Sequence, residues 1–344
     1  MKTNAGTSRS GYAAVVMIAG LPALAALFAC GGPPAQAKPP APSLDDSASA
    51  SAASSGPTAS PAAADAYAAL EAKDFVKARA KGEEALKANP NDAIAHLVLG
   101  VCDEADKNVD GAIAHYDAVL KSDPKNFAAA LNLSAIYVDR KEWDRAASVA
   151  RLGLTNAKAS WELYANLGWA LRGKGDHDKA AKAFGNASKL SPKDPDLQLR
   201  RGQELLAQTE PDKDGALKAF REAVSLAPAD DGVLAEAGVG LGQAGDPSGC
   251  ATALGKLKEP SPEQLRERAV CKHVAKDLAG ARADLDAAIK KKANAQMHWS
   301  AAAYAMEAGD DKSCKSHLAD MAKLATTDED KAKAAKAPQL CKKK

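Results

Sequence analysis

The chain has 344 residues and 35.4 kDa, with 46 Lys plus Arg against 44 Asp plus Glu, a formal net charge of +2. Eighty residues are alanine and only 4% are aromatic, a composition that favours closely approaching helices. It excludes an all-β domain and disfavours a wound α/β sheet, which need β-branched and aromatic side chains. The balanced charge also argues against nucleic-acid binding, which needs a strongly basic face.

Lys2 and Arg9 precede an apolar run from Tyr12 to Ala29, which closes on Leu27-Phe28-Ala29-Cys30-Gly31. A basic start, a short hydrophobic stretch and small residues before a cut describe an export signal over residues 1–29. Gly20 and Pro22 interrupt it as a membrane span. Leu27-Phe28-Ala29-Cys30 resembles the bacterial lipobox, which implies cleavage before Cys30 and a diacylglycerol thioether, usually with an added N-acyl chain such as palmitate, on that cysteine. Several chains on one residue anchor stably in a lipid bilayer. The competing reading is an ordinary secretory leader with a chance cysteine. Residues 30–61 are rich in Pro, Ser and Ala, contain one Leu and no aromatic, and are expected to be a spacer. Gly31 stands where many inner-membrane lipoproteins carry aspartate. The resemblance therefore implies an outer-membrane protein whose body faces the periplasm or the cell surface.

From there the chain repeats. Ala78, Ala112, Ala146 and Ala180 recur every 34 residues; Pro90 and Pro124 are 34 apart, and Pro192 lies two periods beyond Pro124. Leu99-Gly100 and Leu167-Gly168 are two periods apart, as are Tyr116 and Phe184. Tyr164, Leu167-Gly168, Leu171, Ala180, Phe184, Ala187 and Pro192 resemble the tetratricopeptide repeat, so the expected fold is an all-α, right-handed superhelical solenoid of about eight helical hairpins. Five repeats are expected over 62–230, with a two-residue insertion placed around Pro195. Degenerate hairpins follow over 231–324, and a frayed Lys/Ala-rich tail over 325–344. In the second repeat Asp103 replaces a large residue, which predicts a looser helix pair.

Outside the cytoplasm disulfides are permitted. Cys250 and Cys271 flank Pro260-Ser261-Pro262 on helices expected to be antiparallel, and Cys314 can reach Cys341 if the tail folds back; Cys271–Cys314 is the competing pair. Cys102 reads as a small buried residue. The histidines show no metal-binding i, i+4 pair around a glutamate, although His96 and His115 lie on paired helices and could approach one another. Asp106 to Asp117 resembles the start of a calcium loop, but the repeat register requires helix from about Asp110. No zinc site, cofactor, small-molecule substrate or enzymatic motif is expected.

The resemblance places a partner-binding groove on the first helix of each repeat. It implies Leu97, Val101 and Ala105 in the second repeat; Asn132, Ala135 and Asp139 in the third; and Glu162, Asn166, Trp169 and Arg172 in the fourth. Trp169 is the expected anchor, since large amphipathic rings dominate binding hot spots; its alternative role is packing against the next repeat. The expected function is a lipid-anchored scaffold or adaptor for a protein partner in an envelope machine, such as outer-membrane assembly, a secretin or pilus, or a motility complex. The alternative is a structural or cell-wall-associated envelope lipoprotein without a dedicated peptide ligand.

Overall fold

Ala78, Ala112, Ala146 and Ala180 are all fully buried, each on the second helix of a hairpin. The structure, a computed structural model, describes residues 60–156, 160–336 and 341. Cys30, the leader at 1–29 and all but the last two residues of the spacer at 30–61 lie outside these. Among the described residues there are seventeen helices and no strand.

One compact unit runs to Gly245 and a second starts at Asp246. The first contains five hairpins and one further helix. The hairpins are α1 (Pro61–Glu71) with α2 (Phe75–Ala88), α3 (Ala93–Ala105) with α4 (Val109–Ser122), and α5 (Phe127–Asp139) with α6 (Trp143–Asn156). They continue with α7 (Trp161–Gly173) and α8 (His177–Leu190), then α9 (Pro195–Ala207) and α10 (Lys213–Leu226), and end at α11 (Asp231–Ala244). Each helix packs on the one before and the one after it, and α1, α5 and α9 also touch the next first helix, α3, α7 and α11. Ser60, Asp74, Asp92, Asn108, Asn126, Asp176 and Asp194 cap helix starts by accepting main-chain N–H groups, which satisfies donors that the helix leaves open.

A three-residue turn joins the helices of the first four hairpins. In each, the residue after the cap is left-handed: Lys73 (φ 59), Lys107 (φ 62), Lys141 (φ 58) and Gly175 (φ 76). This conformation lets the N–H of Asp74, Asn108, Glu142 and Asp176 reach back to the carbonyls of Ala69, Asp103, Tyr137 and Leu171 at 2.8–2.9 Å. The fifth hairpin departs. Gln208 to Asp212 form a five-residue connection, so the two extra residues lie in the turn within the hairpin and not around Pro195. Pro195 itself opens α9, where its missing N–H costs nothing.

Asp103 does not loosen the second hairpin. It is 4% exposed and ion-paired to Arg79 at 2.9 Å, so a buried charge is neutralised from the preceding hairpin. The calcium-loop segment is helical from Val109, with Asn108 as its cap and Ala112 and Tyr116 buried.

The second unit comprises α12 (Pro247–Gly255), α13 (Pro262–Val274), α14 (Leu278–Lys292), α15 (Ala295–Glu307), α16 (Asp311–Leu324) and α17 (Asp328–Lys336). Cys250 of α12 is bonded to Cys271 of α13, and Cys314 of α16 to Cys341, with Cα–Cα distances of 6.0 and 5.9 Å. Cys341 is buried with Leu318 and Met321, and half-buried Ala334 packs against them, so residues 328–336 form a docked helix where composition predicts fraying. Cys102 is buried without a disulfide. No described helix is long and apolar enough to cross a membrane.

Candidate protein-binding surface

Trp169 stands in the third turn of α7, half-buried, with its ring edge-on to Phe184 of α8 at 5.6 Å. Two guanidinium groups flank it. Arg172, from the same helix, lies 5.3 Å from the ring centroid, and Arg200, from the first helix of the next repeat, lies 5.5 Å away. Such contacts draw cations onto an aromatic face and stiffen both partners.

The arginines are tied into a polar network spanning three repeats. Arg172 Nη1 donates to Gln203 Oε1 at 3.0 Å and lies 3.3 Å from Glu204 Oε1. Arg200 donates to both carboxylate oxygens of Glu236 on α11, at 2.9 and 3.3 Å, and to Gln203 Oε1 at 2.9 Å. Gln203 Nε2 closes the ring by donating to Glu236 at 2.8 Å. Glu204, 1% exposed, also meets His177 Nδ1 at 2.8 Å. Burial pushes the Arg172 guanidinium below its ordinary value against the pull of Glu204. Two guanidiniums and two carboxylates balance each other, so the cluster is not a bare cationic pocket. It holds a large ring rigidly, with part of that ring open to solvent.

The other expected groove residues divide. Asp139 is exposed, and Val101, Ala135, Glu162 and Arg172 are half-buried, so these can meet a partner. Ala105 is exposed at the end of α3. Leu97, Asn132 and Asn166 are 7%, 5% and 1% exposed and belong to the interior. Their placement has a cause. Asn132 Nδ2 donates to Tyr116 Oη of the preceding repeat at 3.1 Å, and Asn166 Nδ2 donates to Ser134 Oγ at 3.0 Å. These two asparagines join repeats from within the interior. Tyr116 in turn donates to Glu104, and burial with that carboxylate raises its hydroxyl well above the ordinary range.

Arg200, Gln203, Glu204, Glu236 and His177 were missed by sequence reasoning. A signal was present for two of them: Arg200 lies 34 residues after Asn166, and Gln203 lies 34 after Trp169.

Models of the tetratricopeptide repeat match residues 63–127 and 166–231, and a second tetratricopeptide model matches 103–167. No curated protein sequence matches the chain. Among solved structures, a tetratricopeptide repeat protein from Parabacteroides merdae is 17% identical, with a TM-score of 0.47, over 68% of this chain and 93% of its own. YrrB, described as a tetratricopeptide protein with an unusual peptide-binding site, is 19% identical with a TM-score of 0.47, over 57% of this chain and 97% of its own. MamA from Desulfovibrio magneticus is 20% identical with a TM-score of 0.43, over 50% of this chain and 96% of its own. The fold is all-α and built of tetratricopeptide-like hairpins, and residues 63–231 match tetratricopeptide-repeat models. Such repeats stack into extended concave surfaces of the kind used for binding.

Proposed function

We propose that the protein is a lipid-anchored scaffold that captures a protein partner within a bacterial envelope machine, on the surface around Trp169. The observation that carries the interaction is the pre-set ring: Trp169 is fixed by Phe184, Arg172 and Arg200 before any partner arrives. An anchor that is already ordered loses little side-chain entropy on binding. Asp139, Glu162 and Val101 offer polar and apolar contacts on the first helices of neighbouring repeats.

The envelope assignment rests on the Leu27-to-Cys30 box and the spacer after it. Two disulfides in residues 246–341 support it, because such bonds persist in oxidising compartments and are rare in the cytosol.

Affinity capture from detergent-solubilised envelopes, run with native and Trp169→Ala protein, tests the surface. The substitution should weaken capture of the enriched partner by ~2 kcal/mol or more, in the range of a buried aromatic anchor, without lowering helical content. Undiminished capture at unchanged melting temperature removes this surface from consideration. Fractionation of Cys30→Ser tests the anchor separately. Loss of membrane partitioning supports it, and unchanged partitioning with the lipid phase overturns it.

A further inference from the structure

His96 and His298 each hold the fourth position of a first helix, α3 and α15. His115 and His317 each hold the seventh position of the helix that follows, α4 and α16. The hairpins bring Nδ1 of His96 to 2.9 Å from Nδ1 of His115, and Nδ1 of His298 to 3.2 Å from Nδ1 of His317. The rings meet at 47° and 46°, with centroids 5.2 and 5.4 Å apart. One arrangement is built twice, once in each compact unit.

Two neutral imidazoles carry two N–H groups, of which one goes to Pro90, and the other is divided between the 2.9 Å contact of the Nδ1 atoms and a longer approach to Asp103. The Pro90 carbonyl, 3.0 Å from His96 Nε2, can only accept, so His96 is protonated on Nε2 and turns a bare Nδ1 lone pair toward His115. Asp103 Oδ2 lies 3.7 Å from His115 Nε2. If His115 keeps its proton on that side, two lone pairs face each other across 2.9 Å with nothing between them. If it keeps the proton on Nδ1, a lone pair faces the carboxylate instead. A cation between the two Nδ1 atoms uses both lone pairs and leaves the His115 Nε2 proton toward Asp103.

We propose that each pair is a two-imidazole binding site for a borderline divalent transition ion of the Zn²⁺, Cu²⁺ or Ni²⁺ type. Imidazole nitrogen is the ligand those ions favour. With metal–nitrogen bonds of about 2.05 Å, two ligands lie about 2.9 Å apart at a right angle and about 3.3 Å apart at the tetrahedral angle. The observed separations of 2.9 and 3.2 Å fall within that span. The outer partners of the first pair, a backbone carbonyl and a carboxylate, are those that orient metal-bound imidazoles through their other nitrogen. Arg79 does not compete for the ion, because its guanidinium is engaged by Asp103 at 2.9 Å. Beside the second pair, Asp320 supplies negative charge, and it is itself paired with Lys323 at 2.9 Å. No group of three or more metal-ligating side chains occurs among the described residues, so water completes each coordination sphere. The sites are consequently exchangeable, and weaker than a closed four-ligand structural centre.

The experiment uses the purified full chain stripped with a chelator. Zinc sulfate is titrated calorimetrically, and copper(II) chloride is followed by electron paramagnetic resonance. The native protein should bind two ions, His115→Gln and His317→Gln one each, and the double variant none at the same concentrations. The nitrogen couplings on copper should vanish in step, while circular dichroism shows retained helix. His273→Gln, whose ring stacks on Tyr304, should leave both ions in place. Two ions retained by the double variant, a native chain that binds none, or equal loss on His273→Gln overturns the proposal.

Discussion

The Phe184 ring lies against Gly168 so closely that a Cβ added to the glycine would sit 2.8 Å from its Cε1 atom. The same relation joins Gly100 to Tyr116 and Gly202 to Phe220. In the third repeat both partners change together. Ser134 stands at the glycine's place and Ala150 at the aromatic's, and both are fully buried. The small partner grows where the large one shrinks, so the third repeat has no ring that would require a glycine opposite it. Gly168→Ala should therefore destabilise the protein by about 1–2 kcal/mol, overpacking outweighing the gain in helix propensity. In a Phe184→Ala background the same change should become neutral or stabilising. A double-mutant cycle by chemical denaturation measures this, and equal costs in both backgrounds would show that the ring does not set the glycine.

The left-handed turn residues give a prediction of opposite sign. Lys141 adopts φ 58, whereas Gly175 adopts φ 76 at the same place in the next repeat, with nothing within 4 Å of where a Cβ would be. A left-handed L-residue costs roughly 1–2 kcal/mol, and glycine gives back part of that gain through its freer unfolded chain. Lys141→Gly should raise stability by about 0.5–1 kcal/mol, and Gly175→Ala should lower it by a similar amount. Thermal melts of both variants decide. A destabilised Lys141→Gly would mean that the lysine side chain contributes more than its backbone costs.

The repeat was legible because its small and aromatic residues answer to one steric requirement, the crossing of two helices, and that requirement leaves a 34-residue trace. The turns left no such trace. Lysine at 73, 107 and 141 does not announce a left-handed cap, and the five-residue turn at 208–212 shifted the register without marking where. The binding surface was read only in part. Family positions put Asn132 and Asn166 in the groove, but a short amide at that position is drawn inward by Tyr116 and Ser134 of the preceding repeat. At the corresponding position of the next repeat, Arg200 is long enough to reach Trp169 and Glu236. All three positions are buried; side-chain length decides which neighbours each residue reaches, and periodicity carries no record of that. The docked tail was hidden for another reason: residues 328–336 are polar, and what retains them is the covalent tie at Cys341 and the apolar patch around it.

Asp284 makes the second unit sensitive to acid. It is 5% exposed and accepts two bonds from Arg268, at 2.8 and 2.5 Å, and pairs with Lys272 at 2.8 Å. Burial alone would raise its carboxyl, but the bonds from Arg268 and Lys272 outweigh it and hold the group below the usual carboxylate range. The unfolded chain therefore binds a proton more readily than the folded one. The resulting stability is present above the unfolded value of about 3.9 and is lost as pH falls through the lower folded value. Asp284→Asn should cost on the order of 2 kcal/mol at neutral pH, because it removes the counter-charge of two cations and turns an N–H₂ donor toward one of them. It should also flatten the stability profile between about pH 5 and pH 2. An Asp284→Asn profile parallel to that of the native chain would assign the acid sensitivity elsewhere.

The two disulfides give the last prediction, which bears on where the protein can work. They close loops of 21 and 27 residues, and chain-entropy arithmetic assigns about 3 kcal/mol to a loop of that size. Both lie within residues 246–341, while the five tetratricopeptide hairpins before them contain only the unpaired Cys102. Two apolar clusters of the second unit are also thin. One consists of Leu265, Ala288 and Met297, and another of Ala269, Ala281, Leu285 and Ala301. Alanine buries little area, so hydrophobic burial offsets chain entropy less completely here than around Tyr116, Leu133 and Tyr137. Reduction should accordingly raise amide hydrogen exchange across residues 246–336 and leave residues 63–231 nearly unchanged. Cys314→Ala with Cys341→Ala should release α17 in particular, since Cys341 is the covalent link that draws the chain back onto α16. Uniform exchange before and after reduction would show that packing alone holds the second unit, and would remove its dependence on an oxidising compartment.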